Sequence, residues 1–462
     1  MRLSVLCSVF CILCSFASAQ WEPDVRLTND PAESFLCGQQ CIVAEGDTLH
    51  AIFTDNRRDW YDVYYTRSTD AGVTWDSAVR VSLDDSNDIF SATVAASGAD
   101  VHITWEGRDN GSLQYRRSTD GGTTWLPETA LVVSPSCGSP FLSADGDNVG
   151  LAWGDSRDGN WNGELYYKQS GDAGLTWTSD TRITFNAEDS AVDKEACLAV
   201  VGNHRYIVWT RWDWNTSAQQ TWFTRSTDEG ATWELESRLT ADTTSQNQPT
   251  VAAVGPNVHV CWWDGRPGGY GIWYRRSTDN GATWNAEQYL ADTTYGSDYP
   301  VIAAAGGNVH VAYRAWPAGQ FVIDYRGSTD NGQTWSAETA LTTVPGMGTA
   351  NLAAAGSRAH LLLYDNRDGN SEIYYKRNLT AGGVEERPNA EVRPTNSATI
   401  VNRVLFLPRS LDPSIPSSLL DISGRKVLDL KPGANDVSRL APGVYFASAT
   451  GSSNQTRLVL VR

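Results

Sequence analysis

The residues best suited to chemistry in this sequence form a short pattern, Asp-x-Arg, that recurs along the chain. It stands at Asp55-x-Arg57, Asp155-x-Arg157, Asp264-x-Arg266 and Asp365-x-Arg367, with looser counterparts at Arg108, Arg211 and Arg314. Aromatic residues accompany these arginines, namely Trp60, Tyr61, Trp161, Trp212, Trp214, Tyr270 and Trp316. Aromatic faces stack on sugar rings and arginines grip acidic groups, so the pattern indicates a ligand-binding surface. Ion pairs that only join neighbouring structural units are the alternative.

Histidines and cysteines offer no further chemistry. Five of the six histidines share one position in the repeat described below: His50, His102, His259, His310 and His360. A residue copied into most repeats serves the repeat, and His204 alone cannot build a triad. Cys37 and Cys41 are close enough in sequence to bridge, which their spacing leaves open, whereas Cys137, Cys197 and Cys261 lack the paired spacing of a zinc site. We therefore expect no cofactor and no metal.

The N-terminus predicts export. Residues 1–19 combine Arg2, the apolar run Leu3 to Phe16 and Ala17-Ser18-Ala19, which are the three regions of a secretory signal peptide. The run is shorter than the roughly 20 apolar residues of a membrane span, and no later stretch approaches that length. Removing Arg2 from the 36 basic residues leaves 35 against 54 acidic ones, a net charge of −19. Such a surface disfavours nucleic acid and anionic membranes as partners. The signal segment predicts a secreted or surface-attached protein, and a resemblance in the C-terminal region, described below, implies that its host is a bacterium.

One octapeptide recurs six times and defines the architecture. Its copies are STDAGVTW from Ser68, STDGGTTW from Ser118, SGDAGLTW from Ser170, STDEGATW from Ser226, STDNGATW from Ser277 and STDNGQTW from Ser328. The starts are 50, 52, 56, 51 and 51 residues apart, and a seventh copy near Asn378 keeps only its glycine. A period near 50 residues is typical of propellers and arrays.

Each period contains four short, apolar, β-rich segments, which predicts one propeller blade. The fourth-strand pattern also appears once before the first blade, at Val25 to Thr28, while the last unit ends after its third strand. We therefore predict an all-β, seven-bladed propeller over residues 20–384, closed by the N-terminal strand, which protects the sheet edges.

The octapeptide resembles the Asp-box of the sialidase-like, or BNR, repeat family. Its aspartates are Asp70, Asp120, Asp172, Asp228, Asp279 and Asp330. A sixfold repeated aspartate is expected to be structural, accepting backbone N–H groups in the turn between third and fourth strands. The glycine two residues later permits positive φ, and the tryptophan buries apolar area.

The resemblance also implies a chemistry. Family sialidases hold the substrate carboxylate with three arginines and use an aspartate acid/base and a tyrosine nucleophile assisted by a glutamate. Tyr299 and Glu195 are the candidates for that last pair. The sequence departs from the family pattern because the Arg-Ile-Pro motif is missing and Pro31 to Cys41 contains no arginine. Family sialidases also usually have six blades, against seven units here.

The C-terminal region reads as a separate module. Residues 385–396 are rich in Glu, Arg, Pro and Asn and predict a linker. Residues 397–462 resemble the C-terminal sorting domain of the type IX secretion system, through Asp421-Ile422-Ser423-Gly424-Arg425, Leu440-Ala441-Pro442-Gly443-Val444-Tyr445 and a terminal basic-apolar strand. The resemblance implies a small β-sandwich read by the export machinery, and an ordinary accessory β-sandwich is the alternative.

Three function classes remain. Blade topology places the Asp-boxes on one face and the Asp-x-Arg loops on the opposite face around the axis. The first hypothesis is non-catalytic binding of glycans or surface proteins through that opposite face. The second is an exo-α-sialidase-type glycoside hydrolase, and the third is a structural surface scaffold.

Overall fold

A computed structural model describes residues 20–83, 89, 91–107, 111–134, 136–158, 163–186, 190–240, 244–266, 270–291, 295–342, 348–379, 399–401, 404–407, 417–421, 425–430, 433–436, 443–449 and 455–460. The expected signal segment and linker, together with Arg108 and Trp161, lie outside these residues. The chain divides into two compact units, residues 1–381 and 382–462, and each is described by itself.

The first unit contains seven antiparallel sheets, which are the blades. The N-terminal strands are β1 (Gln20–Trp21) and β2 (Val25–Arg26). Blade 1 contains β3 (Ser34–Phe35), β4 (Ile42–Glu45), β5 (Thr48–Asp55), β6 (Asp62–Ser68) and β7 (Val79–Arg80). Blade 2 contains β8 (Ala92–Ser97), β9 (Asp100–Gly107), β10 (Ser112–Ser118) and β11 (Thr129–Val133). Blade 3 contains β12 (Cys137–Asp145), β13 (Asn148–Asp155), β14 (Glu164–Ser170) and β15 (Thr181–Arg182).

The remaining blades repeat this order. Blade 4 contains β16 (Ala191–Val201), β17 (His204–Asp213), β18 (Gln219–Ser226) and β19 (Ser237–Arg238). Blade 5 contains β20 (Gln246–Val254), β21 (Asn257–Asp264), β22 (Gly271–Ser277) and β23 (Gln288–Tyr289). Blade 6 contains β24 (Ser297–Ala305), β25 (Asn308–Ala315), a 3-10 turn (Pro317–Gly319), β26 (Val322–Ser328) and β27 (Thr339–Ala340). Blade 7 contains β28 (Ala350–Ala355), β29 (Arg358–Asp365) and β30 (Glu372–Leu379).

The ring closes through the N-terminal strands. Successive inner strands contact one another around the axis, and β28 of blade 7 contacts β4 of blade 1. β2 pairs with β30, Val25 opposite Tyr375, and β1 pairs with the end of β30, Gln20 opposite Leu379. The predicted seven-bladed fold and its closure by the strand at Val25 are therefore confirmed.

The Asp-box turn is held by its own side chains. In blade 1, Oδ1 of Asp70 accepts hydrogen bonds from the Thr74 N–H at 2.8 Å and the Ser68 hydroxyl at 2.8 Å. Its Oδ2 accepts from the Thr74 hydroxyl at 2.7 Å, and the same set recurs in the other five boxes. In blade 2, hydrogen bonds led by those from Thr124 lower the pKa of Asp120 to about 2. These carboxylates are therefore occupied within their own turns.

Each Asp-box tryptophan also joins its blade to the preceding one. Trp125 of blade 2 packs edge-on against Tyr65 of blade 1, with ring centroids 4.9 Å apart. The equivalent pairs are Trp75–Tyr375, Trp177–Tyr115, Trp233–Tyr167, Trp284–Phe223 and Trp335–Tyr274. Blade 7 lacks a complete Asp-box, and there Trp21 of β1 packs on Tyr325 of blade 6 at 4.9 Å in the same edge-on manner. The N-terminus thus supplies the tryptophan that the seventh repeat lacks.

The second unit is also built of β-strands. They are β31 (Thr399–Val401), β32 (Val404–Leu407), β33 (Ser417–Asp421), β34 (Lys426–Leu430), β35 (Gly433–Asp436), β36 (Gly443–Ala449) and β37 (Gln455–Leu460). They form a three-stranded and a four-stranded antiparallel sheet, so the prediction of a second all-β module is confirmed. Among the described residues of the whole chain, no helix is long and apolar enough to cross a membrane.

Candidate functional site

A cavity of about 420 Å³ lies on the ring axis, and every blade contributes lining residues from its inner strand or the segment just before it. These residues stand at the start of the inner strands. The opposite ends of the same strands form the hairpins that contact the Asp-boxes, as in the hydrogen bond from Ala71 N–H to the Asp47 carbonyl at 2.7 Å. The cavity therefore opens on the face opposite the Asp-boxes, where the Asp-x-Arg loops also lie.

Four inner strands carry a β-bulge where they meet the cavity. The pairing with the second strand shifts after Gly138, Lys194, Asn247 and Asp298, in blades 3 to 6. One residue in each bulge has a left-handed backbone: Ser139 (φ 51°), Glu195 (φ 57°), Gln248 (φ 54°) and Tyr299 (φ 47°). All four line the cavity. Left-handed conformations cost side-chain-bearing residues about 1 kcal/mol or more and concentrate at functional sites.

Sequence reasoning missed Ser139 and Gln248, although a signal for them exists. A proline follows three of the four bulge residues, in Ser139-Pro140, Gln248-Pro249 and Tyr299-Pro300. Proline inside a strand is confined to edges and bulges, so its recurrence at one register marks these bulges.

Polar contacts link Glu195 to the backbone of Tyr299 across three blades. The Thr210 hydroxyl, which can donate to one acceptor at a time, lies 3.1 Å from Glu195 Oε2 and 3.1 Å from Asn247 Oδ1. Asn247 Oδ1 accepts the Gln248 N–H at 2.8 Å, and Gln248 Oε1 accepts the Tyr299 N–H at 3.0 Å. The structure therefore brings the two candidate catalytic residues to one cavity, where side chains of blades 4 and 5 connect them.

Tyr299 borders the cavity with an accessible ring. Tyr299 is 42% exposed. The guanidinium carbon of Arg314 lies 4.4 Å from the centroid of its ring. Arg314 is held by Asp298 through two hydrogen bonds of 2.8 and 2.7 Å. Arg314 thus packs on the tyrosine ring while Asp298 neutralises the charge of its guanidinium.

The Asp-x-Arg pairs are closed salt bridges. Arg57 donates two 2.7 Å hydrogen bonds to Asp55, whose side chain is fully buried. Arg157 and Arg367 contact Asp155 and Asp365 in the same way, and Arg266 Nη2 lies 3.0 Å from Asp264 Oδ2. The four arginines also reach a second carboxylate, namely Asp30, Asp180, Glu287 and Asp24 in chain order. Each guanidinium lies over an aromatic ring of the third strand, at 4.0 to 4.7 Å.

Each of these pairs forms within its own motif, although Arg57 also reaches Asp30 in the connection that leads from blade 7 to blade 1. The aspartate carboxylates of these pairs are buried, and the neighbouring arginine stabilises their ionised form. Burial raises the pKa of Asp264 even though Arg266 and Trp262 oppose that rise. In Asp155, hydrogen bonds from Arg157 and Ser134 outweigh burial and lower the pKa.

The aromatic candidates divide between exposed and packed positions. Trp60 is 43% exposed and Tyr270 is 53% exposed, and Tyr270 stacks on Trp263 at 5.2 Å. Trp316 is half-buried. Its ring packs so closely on Gly296 that a Cβ added to this glycine would lie 2.1 Å from the ring.

Among the described residues, no group of His, Cys, Asp or Glu is arranged to hold a metal ion. Cys37 and Cys41 are both buried thiols whose Sγ atoms lie 3.9 Å apart.

The fold and site define a seven-bladed propeller with an axial, largely uncharged cavity. A model of the BNR repeat-like domain matches residues 204–392. No curated protein matches the chain in sequence.

Solved structures align with the fold at low identity. A polysaccharide lyase aligns with a TM-score of 0.51 and 11% identity, over 78% of this chain and 99% of the lyase. A Hadza microbial sialidase aligns with a TM-score of 0.44 and 14% identity, over 71% of this chain and 73% of that protein. The Trypanosoma rangeli sialidase aligns with a TM-score of 0.41 and 14% identity, over 62% of this chain and 54% of the sialidase. This chain thus spans about half the length of the trypanosomal enzyme. At these identities the likeness concerns the fold alone.

Proposed function

We propose that this protein is a secreted, non-catalytic propeller that binds neutral glycans in its axial cavity. The observation that carries the proposal is the lining. Among the described lining residues the side chains are hydroxyls, amides and apolar groups, with Glu195 as the one charged residue and with the ring of Tyr299 in the lining.

A neutral sugar fits these groups. Sugar hydroxyls both donate and accept hydrogen bonds, as do the amides of Gln39 and Gln248, and the hydroxyl of Ser139. The apolar face of a sugar ring stacks on an aromatic face such as Tyr299. A cavity of about 420 Å³ lies in the range of small-ligand pockets. The bulges that display Ser139, Gln248 and Tyr299 orient these residues in advance, which reduces the entropy lost on binding.

The second candidate, an exo-sialidase, is favoured by one observation: Tyr299 and Glu195 border the same cavity. The electrostatics oppose it. A sialoside carboxylate calls for arginines aimed at the ligand, whereas the described residues that line the cavity include no lysine or arginine. The arginines of the described Asp-x-Arg loops meet buried aspartates instead.

Two measurements on residues 20–462 test this function. We expect binding to neutral members of a glycan array and no hydrolysis of a fluorogenic sialoside. Tyr299→Ala should abolish glycan binding, while Tyr299→Phe, which keeps the ring, should retain most of it. Release of sialic acid that disappears in Tyr299→Phe would establish the enzyme instead. If the protein shows no binding and no turnover, the scaffold hypothesis remains.

We propose in addition that the protein is exported and that residues 397–462 act as a type IX sorting signal. The support is the sequence resemblance at Asp421 to Arg425 and Leu440 to Tyr445. In a bacterium with that secretion system, truncation after Gly383 should leave the propeller in the periplasm, while the full chain reaches the surface or medium. Normal export of the truncated chain would exclude this role.

A further inference from the structure

In blade 4 the second and third strands extend further on the cavity face than their counterparts in blade 5. Its second strand ends at Asp213, 11 residues after the hairpin glycine Gly202, whereas in blade 5 Asp264 ends the strand 9 residues after Gly255. Pairing continues to the tip, with Ala191 opposite Asp213 and Trp212 opposite Gln219. Two further extended residues add about 7 Å, so this hairpin extends beyond its counterpart in blade 5.

Two exposed tryptophans occupy this tip. Trp212 is 38% exposed and Trp214 is 43% exposed, and their rings stack nearly parallel, with centroids 5.3 Å apart and planes 10° apart. The turn is fixed, since Asp213 Oδ1 accepts the N–H groups of Asn215 and Thr216 at 2.8 and 3.1 Å. The Trp214 N–H donates to the Ser190 carbonyl at 3.0 Å. Exposed aromatic area held in a rigid turn is typical of a binding platform.

The platform adjoins the axial cavity. Lys194 Nζ lies 6.0 Å from the Trp212 ring centroid and 3.8 Å from Glu195 Oε1, and Glu195 lines the cavity. One side chain therefore separates the tryptophans from the cavity rim. The ammonium group faces a carboxylate and Asp213 stands between the tryptophans, so the patch carries no excess of positive charge.

We propose that Trp212 and Trp214 form a second saccharide subsite, and that the ligand is a neutral oligosaccharide which stacks one sugar unit on this platform while another enters the cavity. This rests on the proposed glycan binding and adds that the ligand spans several sugar units. The platform supplies area for the apolar face of a sugar ring.

The experiment measures how affinity depends on ligand length. The probe is an array of neutral oligosaccharides of one to six sugar units, with a matched acidic set, applied to residues 20–462. We expect affinity for the neutral set to rise at least tenfold between one and four units. The double variant Trp212→Ala/Trp214→Ala should lose that rise yet keep its affinity for the shortest ligands, whereas Tyr299→Ala should lose both.

The control is Leu235→Ala, an exposed apolar position (94% exposed) that follows the Asp-box of blade 4. It should leave the length dependence unchanged, and thermal unfolding should show all variants folded. A rise with length that survives in the double variant would overturn the second subsite alone, because cavity binding would then persist. Preference for the acidic set would also overturn the subsite as proposed. No binding to any neutral glycan would overturn the proposed function itself.

Discussion

Nδ1 of His50 lies 2.7 Å from the phenol oxygen of Tyr65, and both side chains are buried. Tyr65 then contacts the next blade, where its hydroxyl lies 3.4 Å from the Gly121 carbonyl of the Asp-box. The His–Tyr contact recurs as His102–Tyr115, His259–Tyr274, His310–Tyr325 and His360–Tyr375. The repeated histidines thus position the tyrosines on which the next blade packs.

The Asp-box glycine should tolerate no side chain. A Cβ on Gly122 would lie 1.9 Å from the Tyr65 hydroxyl, and its φ is +81°. We expect Gly122→Ala to destabilise the propeller by about 2–4 kcal/mol, the sum of a positive-φ penalty and overpacking. Urea unfolding would measure this.

Two matched glycines separate those causes. Gly46 has a φ of +60° with nothing within 4 Å of an added Cβ, so Gly46→Ala should cost only about 1 kcal/mol. Gly171 lies in the Asp-box of blade 3 with open space and no positive φ, so Gly171→Ala should be neutral or stabilising. Equal losses at Gly122 and Gly46 would refute the tyrosine contact.

Stability should fall as the pH falls below the ordinary pKa of histidine. Burial lowers the pKa of His50, His259 and His310 to about 4 and that of His102 and His360 to about 3. The folded propeller therefore keeps these rings neutral, while the unfolded chain takes up protons below about pH 6.5. Their contribution is complete above that pH and is lost as the pH falls toward 4, with a slope of about 1.4 kcal/mol per pH unit for each histidine.

Urea titrations between pH 7 and pH 4.5 would test this slope. His102→Gln should reduce the slope by about one proton. His204, which is only half-buried, provides the control, and His204→Gln should change the slope less. A slope that is the same in both variants would show that other groups set the pH dependence.

Trp21 should matter as much as an Asp-box tryptophan. It packs on Tyr325 as Trp125 packs on Tyr65, with the same 4.9 Å separation. We expect Trp21→Ala to cost about 2–4 kcal/mol, slightly below the range for fully buried tryptophans because it is half-buried. Val25→Ala is the control, since Val25 is 41% exposed. Hydrogen exchange should locate the loss in blades 6 and 7, and a loss no larger than that of Val25→Ala would contradict the role of Trp21.

Arg157 should stabilise the fold. Removing it leaves the fully buried carboxylate of Asp155 without its cation, so Arg157→Leu should cost about 1–3 kcal/mol, a value reduced because the arginine is partly exposed. Adding Asp155→Asn removes the stranded charge and should recover part of the loss. Thermal unfolding of the single and double variants measures the coupling. An unchanged midpoint in Arg157→Leu would return this arginine to the ligand-binding candidates.

The architecture followed from the sequence because periodicity constrains it strongly. Seven copies of one strand pattern define the blades, and the unpaired fourth-strand pattern at Val25 implies closure onto β30. The role of Trp21 did not follow, since it lies in no repeat and its contact with Tyr325 exists only once the ring is closed.

The site was predicted only in part. Tyr299 and Glu195 were identified by residue type, but that they share a cavity depends on bulges whose backbone angles no composition reveals. From the sequence the Asp-x-Arg pattern indicates a ligand surface, because charge spacing does not show whether an arginine turns back onto its own aspartate. Local loop geometry decides that, and here it closes Asp55 onto Arg57.

The pairing of Gln20 with Leu379 places the two ends of the propeller chain side by side, so the first and last blades in the sequence are neighbours in the ring. In an open array the terminal repeats have one neighbour each and fray first. Here every blade has two neighbours, so none is terminal. A circular permutant with Leu379 joined to Gln20 by a short linker, and with new chain ends in a connection between two other blades, would keep every interblade contact and should fold to the same ring.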